Sequence, residues 1–158
     1  MKTLIVYASK YGCTADCAER LKAKLEGDVT LLDIKKATSG MDLSKFDAVA
    51  IGGSVYVGKI AKPLRAFCES NLDVLIQKKV GIFLCCAQVD ESDGFFAANF
   101  PASLLSHSRT TKVFGSEARL DKMGFADKMI IKAVTKGDFS GFKIFDEKID
   151  EFASEISQ

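Results

Sequence analysis

Five short strand-like runs, most of them apolar and separated by stretches long enough for helices, constrain this chain more than any other feature. They are Thr3–Ala8 (TLIVYA), Asp28–Ile34 (DVTLLDI), Asp47–Ser54 (DAVAIGGS), Lys79–Ala87 (KVGIFLCCA) and Thr111–Leu120 (TKVFGSEARL). A four- to eight-residue run with no polar alternation reads as a strand buried on both faces. Strands of that kind, each followed by a helix, build a parallel sheet covered on both sides. The helical signals sit between them. Thr14 is placed to N-cap a first helix, with Asp16 in its first turn, Ala18, Leu21 and Leu25 on one face and Gly27 past its end. Pro63 suits the first turn of a second helix, whose apolar face is Leu64, Phe67, Cys68 and Leu72. A short helix is expected around Phe100 to His107. Phe145, Ile149, Phe152 and Ile156 repeat at helical spacing and mark the last one.

The fold class expected is therefore α/β, a three-layer sandwich around a five-stranded parallel sheet with right-handed crossovers. The strand order 2-1-3-4-5 follows from a general rule for doubly wound sheets and not from these residues. That rule puts a ligand at the switch point between the first and third strands. It brings the loop Ser9–Thr14 beside the loop Gly52–Gly58.

Composition sets the outer bounds. One domain, residues 1–158, is expected for 158 residues with 47% apolar side chains. No apolar run approaches the ~20 residues of a membrane-spanning helix. The amino end enters a strand at once, so no signal peptide is expected. Five cysteines form no regular framework and point to free thiols in a reducing cytoplasm. Cys13 sits at a helix amino end, where thiols acidify, or serves as a small loop filler. Cys13 and Cys17 are four apart, not a C-x-x-C pair. Cys85 and Cys86 adjoin in an apolar strand, and no metal-ligand spacing is visible. The single histidine, His107, lies in a polar stretch and reads as a surface residue. No catalytic acid–base residue is nominated. Net charge is +1, which argues against nucleic acid and against a strongly acidic shuttle.

The loop SKYGCT, Ser9 to Thr14, carries the chemistry. Backbone N–H groups at a helix amino end favour an anion. Ser9, Tyr11 and Thr14 add hydroxyls, and Gly12 allows close approach. Several charge-assisted hydrogen bonds of roughly 1.5–3 kcal/mol each hold a phosphate without a dedicated arginine. A plain strand-to-helix turn is the alternative reading of the loop taken alone. A Walker loop is excluded by the absence of Gly-Lys-Ser/Thr, and a dinucleotide fingerprint by the absence of G-x-G-x-x-G. A cysteine phosphatase needs an arginine closer to Cys13 than Arg20. A response regulator needs acids where Ala8, Ser9 and Lys10 stand.

SKYGCT resembles the phosphate loop of flavodoxins, Ser/Thr-x-Thr/Tyr-Gly-x-Thr, directly after the first strand. Flavodoxin is itself the reference case for the strand order borrowed above. A second stretch, Gly52–Phe67 (GGSVYVGKIAKPLRAF), resembles the flavin-packing loop and the helix after it. A third, Ala118–Val134 (ARLDKMGFADKMIIKAV), followed by FDEKIDEFA, resembles the menaquinone-dependent protoporphyrinogen IX dehydrogenase branch, though this chain is shorter between its fourth and fifth strands. The resemblance covers nearly the whole chain and implies FMN. Its phosphate is expected on Ser9, Lys10, Tyr11, Gly12, Cys13 and Thr14. The ring is expected between Ser54, Val55, Tyr56, Val57 and Gly58 on one side and Ala87–Gly94 on the other, with contacts from Ala87, Gln88, Asp90 and Gly94. Tyr56 is the stacking candidate, and Gly53 and Gly58 are expected to let the backbone approach the ring. Asp90, Glu91 and Asp93 either disfavour a reduced anionic ring or form a solvated turn.

Two functions from different classes follow as expectations. One is an electron carrier serving a redox partner protein. The other is an enzyme oxidising protoporphyrinogen IX with a quinone acceptor. A flavin-free relic of the fold is a weaker third. The basic, apolar stretch from Arg109 to Lys136 reads either as a surface meeting a membrane or quinone, or as an ordinary helix with its apolar residues in the core. The expected location is the cytoplasm, at the membrane surface on the first of those readings. Oligomeric state is left open.

Overall fold

A computed structural model describes residues 1–158. The strands are β1 (Lys2–Ala8), β2 (Asp28–Asp33), β3 (Ala48–Ser54), β4 (Lys79–Cys85) and β5 (Thr110–Gly115). The helices are α1 (Cys13–Lys24), α2 (Lys62–Ser70), α3 (Leu72–Leu75), α4 (Ser92–Asn99), α5 (Ala102–His107), α6 (Phe125–Thr135) and α7 (Asp146–Ser157). The strands form one parallel sheet in the order β2-β1-β3-β4-β5, as expected. The register runs Thr3 against Ala48 and Ala48 against Lys79, and it slips by one residue between β4 and β5 at Leu84/Cys85.

Alternation along each strand divides the core in two. Leu4 and Val6 of β1 face a cluster completed by Leu64 and Phe67 of α2, Phe96 of α4 and Leu104 of α5. Ile5, between them, faces the opposite cluster with Leu21 of α1 and Ile149, Phe152 and Ile156 of α7. An aromatic trio anchors that second face. Phe83 stacks on Phe114 at 4.4 Å between centroids, and Phe152 meets both edge-on at 5.7 and 5.4 Å. Gly52 is where Phe83 lies, and a side chain there would occupy the ring's place.

Three expectations change. α1 begins at Cys13 after a left-handed Gly12, so Thr14 is inside the helix rather than capping it. β5 stops at Gly115, whose φ of +82° breaks the extended backbone, five residues before Leu120. The stretch expected as a loop after β4 is mostly structured. Val89–Glu91 forms a 3₁₀ turn and α4 starts at Ser92, with Asp93 in the first turn, where the helix dipole favours an acid. Gly94 is therefore a helical residue.

Candidate functional site

At the carboxyl ends of β1, β3 and β4 the crossovers diverge and leave a cleft of about 320 Å³. That is the low end of the ~300–1,000 Å³ usual for small-molecule sites. Its floor is the turn from β1 into α1. Gly12 holds φ +92° there, and its N–H donates to Ser9 Oγ at 3.0 Å. The N–H groups of Tyr11, Cys13 and Thr14 find no acceptor in the protein. The Thr14 hydroxyl is fully buried and also has no partner. A buried hydroxyl without a partner costs about 1–3 kcal/mol; Thr3 of β1 and Thr110 of β5 share that condition, but of the three only Thr14 lines the cleft, where an acceptor can reach it. The donor set suits a phosphate group.

A cation stands over this turn that the sequence did not reveal. Arg119 donates to the Tyr11 carbonyl at 3.3 Å and to Glu117 at 2.8 Å, and it also pairs with Asp16. A side chain at Gly12 would bring its Cβ within 2.7 Å of the Arg119 guanidinium. Arg119 is paired with Asp16 and Glu117 and does not line the cleft, so it braces the turn from outside. Arg119 lies 108 residues from Tyr11, a separation no local pattern encodes.

One side of the cleft is the loop after β3. Tyr56 and Lys59 exchange N–H···O bonds of 2.9 and 3.0 Å around Val57 and Gly58. Both turn residues take positive φ, +48° and +72°, the geometry of a type I′ turn that normally excludes a β-branched residue. Val57 is 71% exposed, so burial does not compensate it. The buried Asn99 of α4 braces this turn, donating to the Gly58 carbonyl at 2.9 Å and accepting from the Ile60 N–H at 3.1 Å. Gly53 does not face the cleft. A Cβ there would press to 2.9 Å on Leu64 in the core.

The opposite side is not the expected one. Ala87 and Gln88 line the cleft, but Asp90, exposed, and Gly94, in α4, do not. Gly12 and Gly58 also stay outside the lining. The remaining candidates, Ser9, Lys10, Tyr11, Cys13, Thr14 and Ser54–Val57, come together there. The far wall is α6, through Ile130, Ile131 and Val134, joined by Met123 and Phe142. No residue of α6 is buried, so α6 is not the ordinary helix with a core-packed face. Asp127 ties it down. Its carboxylate accepts from the Tyr56 hydroxyl and pairs with Lys10 Nζ at 3.3 Å. Lys10 Nζ lies 3.1 Å from the Tyr56 ring centroid, which leaves one face of that ring for stacking. His107 is remote, its Nε2 2.7 Å from the Lys78 carbonyl.

Beneath the floor three thiols meet. Cys13 and Cys17 share one face of α1, and Cys85 joins them from the end of β4, with all sulfurs within 4.8 Å of one another. Hydrogen bonding from Cys17, then Cys85, holds the Cys13 thiol below the usual thiol range. The same bonds with Cys13 push Cys17 and Cys85 up.

The sequence model of the flavodoxin domain matches residues 4–140. This chain belongs to the flavodoxin domain family. No curated protein matches it. Among solved structures, a flavodoxin from the domain Archaea superposes with a TM-score of 0.60 at 17% identity over 100% of both chains. A short-chain flavodoxin associated with a PDU bacterial microcompartment gives 0.61 at 15% identity, over 99% of this chain and 97% of that one. A variant of the Fusobacterium nucleatum flavodoxin, bound to flavin mononucleotide, gives 0.53 at 14% identity, over 99% and 95%. At such identities these likenesses speak for the flavodoxin fold alone.

Proposed function

We propose that this flavodoxin-domain protein binds FMN in the cleft and relays electrons to a redox partner protein. The observation that carries the reading is the buried, partnerless Thr14 hydroxyl beside the free N–H groups of Tyr11, Cys13 and Thr14. Those donors would take the phosphate. Val55, Tyr56, Ile130, Ile131 and Val134 would enclose the apolar ring and exclude water from it. When bound, the flavin accepts and donates electrons, and the protein supplies position and electrostatics. Gln88, which lines the cleft, would hydrogen-bond the ring edge through its amide. Lys10, paired with Asp127, places a cation near the ring. No residue is assigned an acid–base role.

Protein freed of flavin should recover FMN with a visible absorption spectrum and quenched flavin fluorescence. Riboflavin, which lacks the phosphate, should bind more weakly by about tenfold or more, because charge-assisted hydrogen bonds contribute ~1.5–3 kcal/mol each. Equal affinity for the two would remove the phosphate assignment.

A second reading is oxidation of protoporphyrinogen IX with a quinone as acceptor. It is favoured by the exposed apolar side chains of α6 at the cleft wall, Ile130 at 40% and Val134 at 56% exposure, interleaved with Lys128 and Lys132. Such a face suits a hydrophobic acceptor at an anionic surface. No helix is long and apolar enough to cross a membrane. Porphyrin fluorescence above the autoxidation blank, on mixing FMN-loaded protein with protoporphyrinogen IX and a menaquinone analogue, would support this reading. A null result leaves the carrier.

A further inference from the structure

Cysteines filling core space do so elsewhere in this chain one at a time. Cys68 is enclosed in an apolar cluster that contains no second cysteine. Cys13, Cys17 and Cys85 converge instead. They are 7%, 0% and 2% exposed, and their three sulfurs lie mutually within 4.8 Å. We propose that these three cysteines form a trigonal sulfur site for a monovalent thiophilic ion of the Cu(I) class.

Geometry supports the ion. With metal–sulfur bonds of about 2.3 Å, three sulfurs in a plane around one ion stand roughly 4 Å apart, within the observed spread. Cys13 and Cys17 are i and i+4 on α1, so the helix presents both sulfurs in one direction. Cys85 arrives at the β4–β5 register slip, where the strand leaves its regular pairing. No histidine, carboxylate or fourth cysteine joins the group. Zn(II) prefers four ligands and hard cations prefer oxygen, so a three-sulfur set selects a soft ion content with three.

The surroundings suit such a centre. The amino end of α1, which begins at Cys13, adds its dipole and its N–H groups. These offset the charge of coordinated thiolates, whose protons pass to the buffer on binding. Cys13 and Cys85 line the cleft while Cys17 does not, so the ion has an entry path and a closed inner side. The site does not rest on the FMN reading, and the two are tested separately.

The full chain, fully reduced under nitrogen and prepared with and without FMN, is titrated with Cu(I) delivered from a chromophoric bidentate chelator in excess. One Cu(I) per chain is expected to be retained. X-ray absorption should show three sulfur neighbours at about 2.2–2.3 Å. Cys17→Ser should lower the affinity by more than the roughly 10–100-fold that loss of a supporting group costs a metal site, whereas Cys68→Ser should leave it unchanged. Failure of the wild type to hold copper against the chelator overturns the site. So does an equal loss in Cys68→Ser, or a coordination shell with fewer than three sulfurs. Should Cys17→Ser not fold, the sulfur count on the wild type decides alone. Copper retention without FMN binding, or the reverse, separates this site from the flavin site.

Discussion

Thr14 and Val57 are two residues at which this chain accepts an unfavourable local state beside the cleft. Thr14 buries a hydroxyl with nothing to bond. Thr14→Val keeps the shape and removes the unsatisfied group, so the flavin-free protein should gain up to ~1 kcal/mol in a denaturant melt. The same change should weaken FMN about tenfold or more by fluorescence titration. A destabilised variant with unaltered FMN affinity would show that the hydroxyl serves the fold and not the ligand. Val57 holds φ +48°, where an L-residue with a branched Cβ is costly by about 1–2 kcal/mol. Val57→Asn or Val57→Gly should therefore raise the unfolding midpoint, by the equivalent of ~1 kcal/mol. Strain at such positions persists where function keeps it. FMN affinity or reduction potential should accordingly shift in the same variants.

α6 behaves differently from the other long helices. α1, α2 and α7 each bury an apolar face in one of the two cores, whereas α6 buries nothing completely and rests on the cleft through partly covered side chains. Its attachment is Asp127 to Tyr56 and Lys10. Exposed pairs of this kind contribute about 0.2–1 kcal/mol. Asp127→Ala should thus leave global stability within ~1 kcal/mol of the wild type. It should speed amide exchange across residues 125–135 and accelerate FMN release by up to about fivefold. Unchanged exchange in α6 would mean that its apolar contacts, and not Asp127, hold it. The α4 segment illustrates the reverse outcome. Its acid-rich start resembles a charged loop, yet those acids are what a helix amino end accepts, and Asn99 uses the helix to brace the Tyr56 turn.

For the whole molecule, the buried thiols set the alkaline limit. Burial pushes Cys68 up to about 12 and Cys86 up to about 11. In the unfolded chain both ionise near pH 8.5. Above that pH the unfolded state loses protons the folded state keeps, so stability is full below about pH 8.5 and falls as pH rises towards the folded values. Each such thiol contributes a slope of about 1.4 kcal/mol per pH unit in that window. Denaturant melts between pH 8 and 10.5 should show the decline, and Cys68→Ala should flatten it. A wild-type stability that stays level over that range would contradict neutral buried thiols.

The sheet, its parallel sense and the tight, hydroxyl-rich turn from β1 into α1 were all readable from the chain as a string. Each depends on periodicity or on a run of neighbours, and neighbours along the chain obey the same stereochemistry wherever they end up. The course of the cleft's far wall was not readable. Arg119 over Gly12, Asp127 against Tyr56 and Cys85 beside Cys13 join residues about 70 to 110 positions apart. Such meetings depend on how four crossovers pack on two cores, on a one-residue slip between β4 and β5, and on α6 folding back over the strand ends. Local pattern fixes which way a side chain points from its own element. Only the packed molecule decides what stands opposite it.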